Sequence, residues 1–196
     1  YAADLSDLAE VDALAEAVRA DHPRLDVLVN NAGVLKAPET LLPNGQDVRF
    51  VVNTFAPYRL ARRLLPAMPS DGRIVNLPSA AQAPVDVAAT ARAPRLDDMT
   101  AYAQSKLAIT IWTQKMAETL PDGPVAVAVN PGSLLASKMV KQGFGVAGND
   151  LNIGADILIE AALGPRFADA SGAYFDNDSG RFAEPHAATL DSAHAQ

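Results

Sequence analysis

The sequence predicts an α/β fold built on a parallel sheet, and three observations support this prediction. Short runs of β-forming residues alternate along the chain with longer runs of helical periodicity, which is typical of strands joined by crossover helices. The segment Val125–Val129 is entirely apolar, as expected for a strand buried on both faces. Small or polar residues follow several predicted strands, at the end of the strands where open parallel sheets bind ligands.

Each element is predicted from its periodicity and its end signals. The first helix begins after an N-cap at Asp7, with Ser6 as the alternative, and ends before Pro23. The long helix ends at Pro121. The predicted elements are a helix over 8–21, a strand at 25–29, a turn at 30–33, a helix from Asn44-Gly45 to 64, a strand at 73–77, a loop at 80–98, a helix over 100–120, a strand at 125–129, a loop at 133–150, a helix over 152–163, a strand at 173–175 and a turn at 176–180.

Composition narrows the function classes. The chain has 196 residues, a net charge of −7 and no cysteine, which excludes a disulfide scaffold, a thiol nucleophile and a cysteine-ligated metal. The acidity argues against a nucleic-acid partner, and no apolar run approaches the roughly 18 residues of a membrane span. We expect a soluble cytoplasmic protein with no metal site, one domain over 1–182 and a polar tail over 183–196.

Tyr102 and Lys106 lie four residues apart on the long predicted helix and share one face. An ammonium about 4 Å from a phenol lowers its pKa of about 10 by roughly 3 units at an effective dielectric of about 20. The pair is therefore a plausible proton donor and acceptor, although the spacing alone also arises by chance. Ser79 follows a strand and is positioned to polarise a carbonyl oxygen, or else it is an ordinary turn serine.

Asn53 lies four residues before Pro57 within the second predicted helix. Proline has no N–H, so the Asn53 carbonyl loses its helical donor and the helix is expected to kink there. The free carbonyl either marks a kink that serves packing or holds a water that feeds a proton relay.

These residues together resemble the short-chain dehydrogenase/reductase family over positions 1 to about 182. The matching features occur in the family's order along the chain. They are Asp4 after the third strand, Asn30-Asn-Ala-Gly33 after the fourth, the helix asparagine Asn53, the serine Ser79, the Tyr102-x-x-x-Lys106 pair and Pro131-Gly132 after the sixth strand.

The resemblance implies a Rossmann-type doubly wound sheet and an NAD(P)(H)-dependent oxidoreductase that acts on a carbonyl or alcohol. In the family's mechanism Tyr102 exchanges the proton, Ser79 orients the carbonyl, Lys106 lowers the Tyr102 pKa and binds the nicotinamide ribose, and Asn53 holds the relay water. The remaining cofactor contacts that the resemblance implies are Asp4, Leu5, Asn30, Ala32, Gly33, Pro131 and Gly132.

Two features resemble the retinol-dehydrogenase-like branch, whose members act on lipophilic or bulky substrates. They are the Ala101–Leu107 motif and the long separation between Ser79 and Tyr102. The 133–150 loop is then expected to form a mobile substrate lid with an apolar wall, rather than an ordinary surface loop. Two positions depart from the family pattern: Pro78 replaces a common serine, and Ala136 replaces a common threonine, for which Ser133 or Ser137 is a substitute.

The family opens with a strand, a glycine-rich phosphate loop, a helix and a second strand, and these are expected to lie outside this sequence. Without them the strand at 25–29 is an exposed apolar edge, and the choice between NAD and NADP is not encoded here. A binding or regulatory protein without activity and an isomerase or dehydratase remain alternatives. The family resemblance also implies a homodimer or homotetramer through the helices at 46–65 and 100–119, with Trp112 either in that interface or in the core.

Overall fold

The computed structural model describes residues 1–86 and 96–185, and it confirms an α/β fold with a mostly parallel sheet. Five strands lie in the order β1-β2-β3-β4-β5; the first four are parallel and β5 is antiparallel to β4. Their bounds are β1 Val27–Asn30, β2 Arg73–Asn76, β3 Val125–Asn130, β4 Tyr174–Asp176 and β5 Arg181–Ala183. The carboxyl ends of β1, β2 and β3 therefore meet at one edge of the sheet.

Helices connect the strands and cover the sheet. Their bounds are α1 Leu8–Asp21, α2 Val48–Phe50, a π-helical segment Val51–Phe55, α3 Ala56–Leu64, α4 Asp98–Glu118, α5 Lys138–Phe144 and α6 Leu151–Leu163, with short 3₁₀ turns at Leu65–Ala67 and Pro165–Phe167. The N-cap of α1 is Asp7, whose carboxylate accepts a hydrogen bond from the Ala9 N–H. The helix ends at Asp21, as the following proline predicts.

The central strands β2 and β3 are buried on both faces, and successive residues of each strand enter different cores. Val75 and Val127 pack with α6 and Phe167 in one cluster. Ile74 and Ala126, their neighbours in sequence, pack with Met116 and Ala61 in the other cluster. This alternation explains why β3 is apolar at every position except its last. The result is the doubly wound arrangement that the family resemblance implies.

Two elements differ from the prediction, and a third, strand β5, was not predicted. The second helix begins after an N-cap at Asp47, because Asn44-Gly45 forms a turn in which Gly45 has a φ of 83°. The predicted loop at 133–150 contains helix α5, which is capped by Ser137 at its start and by Gly145 in the left-handed region at its end. Strand β5 follows the predicted turn at 176–180, and its pairing with β4 holds it in place. The division between a domain and a tail at residue 182 stays a prediction.

The second helix is interrupted where the sequence predicts. In the segment Val51–Phe55 the Ala56 N–H bonds to the Val51 carbonyl, five residues earlier, so the chain forms a π-helical turn just before Pro57. Single π-helical turns of this kind are frequent at functional sites. Asn53 and Thr54 are both buried within it.

Strand β1 is an edge of the described sheet, and Val29 on it is exposed, as the sequence predicts. Among residues 1–86 and 96–185, no helix is long and apolar enough to cross a membrane. Residues 87–95 of the predicted loop at 80–98 and residues 186–196 of the predicted tail lie outside the described residues.

Candidate active site

Helix α4 places Tyr102 and Lys106 on one face, toward the carboxyl ends of β2 and β3. The helix begins after Asp97, whose carboxylate accepts from the Thr100 N–H at 3.0 Å. Both side chains line one cavity of about 720 Å³, together with Ser79. The four-residue spacing thus brings a phenol and an ammonium into the same pocket as the predicted serine hydroxyl.

Lys106 is buried beneath this cavity. Its Nζ donates a hydrogen bond of 2.8 Å to the carbonyl oxygen of Leu77, the residue after β2. Burial lowers the pKa of the ammonium to about 8, because removal from water disfavours the charged form. The lysine is therefore a cation whose position is set by the end of a central strand.

Tyr102 has a raised pKa, which differs from the prediction that Lys106 lowers it. Burial raises the pKa of the phenol, and a hydrogen bond with Ser79 opposes that rise in part. The Lys106 Nζ lies 5.6 Å from the centre of the Tyr102 ring, over its face. In this arrangement the phenol stays protonated at neutral pH, which is the form that donates a proton.

Ser79 connects Tyr102 with the loop that follows β2. Its Oγ accepts from the Ala81 N–H at 3.1 Å, and its carbonyl accepts from the Gln82 Nε2 at 3.1 Å. The Ser79 side chain and Tyr102 line the same cavity, and Ser79 partly offsets the rise in the pKa of the phenol. Hydrogen bonds therefore hold both the side chain and the backbone carbonyl of Ser79 in place.

Asn53 lies behind these groups and joins three elements. Its Nδ2 donates to the Ser105 Oγ and to the Val34 carbonyl, each at 2.9 Å, and its Oδ1 accepts from the Val34 N–H at 2.7 Å. The Ser105 Oγ in turn donates to the Tyr102 carbonyl at 2.7 Å. Asn53 therefore links the turn after β1 to the helix that carries Tyr102.

Gly33 lies between Asn53 and Lys106. A Cβ at this position would lie 3.3 Å from the Asn53 Oδ1 and 3.3 Å from the Lys106 Nζ, which is closer than most real contacts. The glycine therefore leaves space directly above the buried ammonium.

The cavity has a polar floor and an apolar wall. The floor comes from the carboxyl ends of three strands, with Asn31 and Gly33 after β1, Ser79 after β2, and Pro131 to Ser133 after β3. The apolar lining comes from the residue after β2, the start of α4, and the segments around α5 and the start of α6. Its larger members are Leu35, Leu77, Met99, Leu134, Leu135, Met139, Val140, Phe144, Leu151 and Leu158. The volume falls within the usual range of small-molecule sites, about 300–1,000 Å³.

A family model described as short chain dehydrogenase matches residues 1–144. The chain belongs to this family. It is similar to a probable oxidoreductase from Streptomyces antibioticus, with 34% identity over 90% of this chain and 66% of that protein. It is also similar to human retinol dehydrogenase 13, with 28% identity over 88% of this chain and 58% of that protein.

A solved structure of a short-chain dehydrogenase from Burkholderia cenocepacia in complex with NADP has the same fold. It gives a TM-score of 0.66 and 26% identity, over 89% of this chain and 72% of that one. This short-chain dehydrogenase chain spans less than two thirds of the length of each of the two relatives named above.

The structure brings only part of the predicted cofactor set to the cavity. Gly33, Tyr102, Lys106, Pro131 and Gly132 line it. Asp4, Leu5, Asn30 and Ala32 are not among its lining residues.

The predicted contacts outside the cavity have other partners. Asp4 is exposed and accepts from the N–H and Oγ of Ser6, and these hydrogen bonds lower the pKa of its carboxyl. Asn30 is buried, and its Nδ2 donates to the Asn76 Oδ1 at 2.8 Å. The Asn76 Nδ2 donates in turn to the Thr113 Oγ1 on α4 at 2.9 Å. Asn30 thus stabilises the join between β1, β2 and α4.

Ser133 and Ser137, the two alternatives for the missing threonine, both line the cavity. Ser137 caps α5 by accepting from the Val140 N–H at 3.2 Å, whereas the Ser133 Oγ donates to Asp178 at 2.6 Å. Sequence reasoning missed Gln82, Asn76 and Asp178, because their partners lie on other elements and no spacing pattern relates them.

The cavity residues fit a nicotinamide cofactor. Gly33 leaves open space next to the one buried ammonium among the described residues, and Tyr102 lies beside that ammonium. A donor of this charge suits ribose hydroxyls, and the small residues Pro131 and Gly132 leave room for a flat ring.

Proposed function

We propose that this short-chain dehydrogenase transfers hydride between NAD(P)(H) and a carbonyl or alcohol group of a small molecule. One observation carries the proposal: Ser79, Tyr102 and Lys106 converge on a single cavity, and the lysine ammonium is buried beside the phenol ring. The names of the relatives, an oxidoreductase and a retinol dehydrogenase, support the same chemistry. The NADP in the Burkholderia structure supports the cofactor.

In this proposal the bound nicotinamide supplies or accepts the hydride. Tyr102 donates its phenolic proton to the carbonyl oxygen during reduction and takes it back during oxidation. Ser79 donates a hydrogen bond to the same oxygen and so holds it within reach of Tyr102. Lys106 binds the cofactor ribose, and its positive charge favours the phenolate that remains after proton transfer.

The proton that leaves Tyr102 needs a route back to solvent. We propose that the Asn53 carbonyl holds the first water of this route, because the π-helical turn and Pro57 disturb the normal helical pairing there. The Asn53 side chain is already used by Val34 and Ser105, so the carbonyl is the group available for such a water.

The substrate is proposed to be lipophilic or bulky. Many of the side chains that line the cavity with Ser79 and Tyr102 are apolar, and several of them are partly exposed, including Met99, Leu134 and Phe144. A polar substrate would leave these side chains in contact with polar groups, whereas an apolar one buries them. Similarity to retinol dehydrogenase 13 points the same way.

We further propose that the protein is a homodimer or homotetramer that pairs through the outer faces of α3 and α4. A cytoplasmic location stays a prediction from the sequence.

Replacing Tyr102 by Phe in the full-length protein tests the proposed reaction. Purified protein is mixed with NADH or NADPH and a panel of aromatic and long-chain aldehydes and ketones, and nicotinamide absorbance is followed. Because the variant lacks the proton donor, we expect kcat to fall by about 10² to 10⁴-fold. Tyr58→Phe, which changes an exposed tyrosine outside this cavity, is expected to match the wild type.

The outcomes separate the alternatives. Binding of the nicotinamide without any turnover would favour the binding or regulatory protein over the enzyme. Product formation with no net change in nicotinamide would favour an isomerase or dehydratase. Wild-type rates in Tyr102→Phe would contradict the assigned role of the tyrosine.

A further inference from the structure

The turn between β4 and β5 is hydrogen-bonded to the end of β3 and to the loop that follows it. The Asn130 Nδ2 donates to the Asp176 Oδ1 at 2.8 Å and to the Asp178 Oδ2 at 3.0 Å. The Asn177 Nδ2 donates to the Pro131 carbonyl at 2.9 Å. The backbone N–H of Asn177 also donates to the Asn130 carbonyl at 3.1 Å. Three consecutive side chains of one turn thus hold a loop about 45 residues earlier in the sequence.

Within this turn, the Asp178 carboxylate accepts three hydrogen bonds from Asn130 and Ser133. Its carboxylate accepts from the Ser133 N–H at 2.8 Å, from the Ser133 Oγ at 2.6 Å and from the Asn130 Nδ2 at 3.0 Å. Hydrogen bonds to a carboxylate are shorter and stronger than those between neutral groups. Asp178 is not among the residues that line the cavity, whereas Asn130 and Ser133 are. The carboxylate therefore acts on the cavity from outside it.

The segment that follows Ser133 depends on this anchor. Leu134 has a φ of 51°, in the left-handed region that leucine rarely adopts, and such a conformation persists where neighbouring contacts hold it. Ser133 accepts from the Asn149 Nδ2 at 3.0 Å, and the Leu134 carbonyl accepts from the Asn149 N–H at 2.7 Å. The two ends of the 133–149 segment are therefore tied together at the point where Asp178 binds.

We propose that Asp178 is a positioning residue, which fixes Pro131 to Ser133 and the start of the apolar wall relative to Tyr102. This inference rests on the proposed function, because it assigns Asp178 to the geometry of that same site. A loop held by three hydrogen bonds to one carboxylate keeps a flat ligand at a constant distance from the phenol. Misplacement of a reacting group by about 1 Å costs on the order of 10²-fold in rate.

Because Asp178 is exposed, its effect on the position of the loop can be tested without unfolding the protein. The side chain lies at the surface, so the global stability of the protein depends little on it. A variant that lacks the carboxylate is expected to keep its fold and to lose the fixed position of the loop.

The test compares Asp178→Ala, Asp178→Asn and Ser179→Ala in the full-length protein. Ser179 lies in the same turn, and its Oγ donates to the Asp176 carbonyl rather than to the loop, so Ser179→Ala is the matched control. Three quantities are measured: amide hydrogen exchange of residues 132–140 without any ligand, the dissociation constant of NADPH, and kcat per bound NADPH with an aldehyde or ketone.

We expect Asp178→Ala to exchange faster over residues 132–136. We also expect it to lose tenfold or more in kcat per bound NADPH, because a small displacement of the loop misplaces the reacting groups. We expect the NADPH dissociation constant to change by less than about threefold, because Asp178 does not line the cavity and Gly33, Tyr102 and Lys106 are unchanged in the variant. Asp178→Asn keeps one acceptor oxygen and is expected to fall between Asp178→Ala and the wild type. Ser179→Ala is expected to match the wild type.

Several results would overturn the inference. Unchanged amide exchange in Asp178→Ala would show that the carboxylate does not hold the loop, whatever the protein's activity. A loss of kcat that disappears when rates are expressed per bound NADPH would show a fraction of unfolded protein rather than a displaced loop. If Asp178→Ala does not fold, wild-type exchange and kcat in Asp178→Asn would contradict the proposal. A wild-type protein without turnover would refute the proposed function but leave the exchange experiment valid.

Discussion

Lys106 shows how one residue joins the fold to the site. Its methylene chain and ammonium are buried, and the carbonyl of Leu77 is the hydrogen-bond acceptor of its Nζ. Burial of an ammonium costs free energy unless the charge is paired, which is why its pKa falls to about 8. Lys106 also lines the cavity, so the N–H groups of its ammonium that Leu77 does not use can donate to a bound ligand.

The lowered pKa predicts how stability depends on pH. Between pH 8 and pH 10.5, the folded and ordinary pKa values of this lysine, the unfolded chain binds a proton at Lys106 and the folded protein does not. The free energy of unfolding therefore rises with pH across this window, by about 3 kcal/mol in total. Lys106→Met removes the titrating group and with it this rise.

Urea unfolding at several pH values within the window measures the effect. The relevant quantity is the difference between wild type and Lys106→Met, because the other titrating residues are common to both. A difference that stays constant with pH would show that the lysine is hydrated in the folded protein and has an ordinary pKa.

The site residues that could be predicted are those whose positions follow from nearby residues in the sequence. Tyr102 and Lys106 share one helix face, and their four-residue spacing identifies them when it is combined with the other motifs of the family pattern. Ser79 lies three residues after the end of β2, and its place in the cavity follows from the parallel sheet. Asp178 and Gln82 carry no such signal, because their contacts depend on how separate elements pack.

At the scale of elements, the π-helical segment is joined to helix α4 by polar contacts along its length. Arg49, just before the segment, donates to the Asp98 Oδ1 at 2.6 Å. Within the segment, Asn53 donates to the Ser105 Oγ and the Thr54 Oγ1 donates to the Ser105 carbonyl at 2.9 Å. These contacts fix the position of α4, and therefore of Tyr102, relative to the turn after β1.

The buried ion pair between Arg49 and Asp47 predicts a large loss of stability when Arg49 is replaced. Arg49 is fully buried, and its guanidinium donates to both carboxylate oxygens of Asp47, which is also buried, at 2.8 Å and 2.6 Å. Arg49→Met leaves this carboxylate buried without its cation. We expect a loss of about 3–5 kcal/mol in the free energy of unfolding, measured with urea.

Arg59 provides the matched comparison. It forms an ion pair with Asp12 on α1, but its side chain is 41% exposed, so water screens the charges. Arg59→Met is expected to lose much less stability than Arg49→Met. Equal losses in the two variants would mean that burial of the Arg49 pair contributes little.

The elements that the sequence failed to predict also have physical reasons. Helix α5 is short, and Gly143 within it and Gly145 at its end favour a loop when judged locally. Its cap at Ser137 and its packing of Val140 in the cavity wall stabilise it. Strand β5 has an exposed backbone and depends on pairing with β4 and on the contact of Phe182 with Phe175. By contrast, β3 is predictable from sequence alone because both of its faces are buried.

At the scale of the whole molecule, the outer faces of α3 and α4 form a second groove of about 470 Å³. Tyr58 on α3 is 44% exposed, and its ring meets the Trp112 ring edge to face at 5.5 Å. The Trp112 Nε1 is buried and, within residues 1–86 and 96–185, has no acceptor. A buried N–H without a hydrogen-bond partner costs free energy, so a single copy of the chain leaves one donor on this face without an acceptor.

This groove predicts the assembly of the full-length protein. We expect the wild type to sediment as a dimer or tetramer, because a second copy seated on α3 and α4 would bury Tyr58 and add the area that a stable interface needs. Tyr58→Lys places a charge in that interface and is expected to sediment as a monomer with its fold intact by circular dichroism. Ile159→Lys puts the same charge on α6 at a side chain that is 59% exposed, and is expected to keep the wild-type assembly. A monomeric wild type, or an assembly that survives Tyr58→Lys but not Ile159→Lys, would move the interface away from α3 and α4.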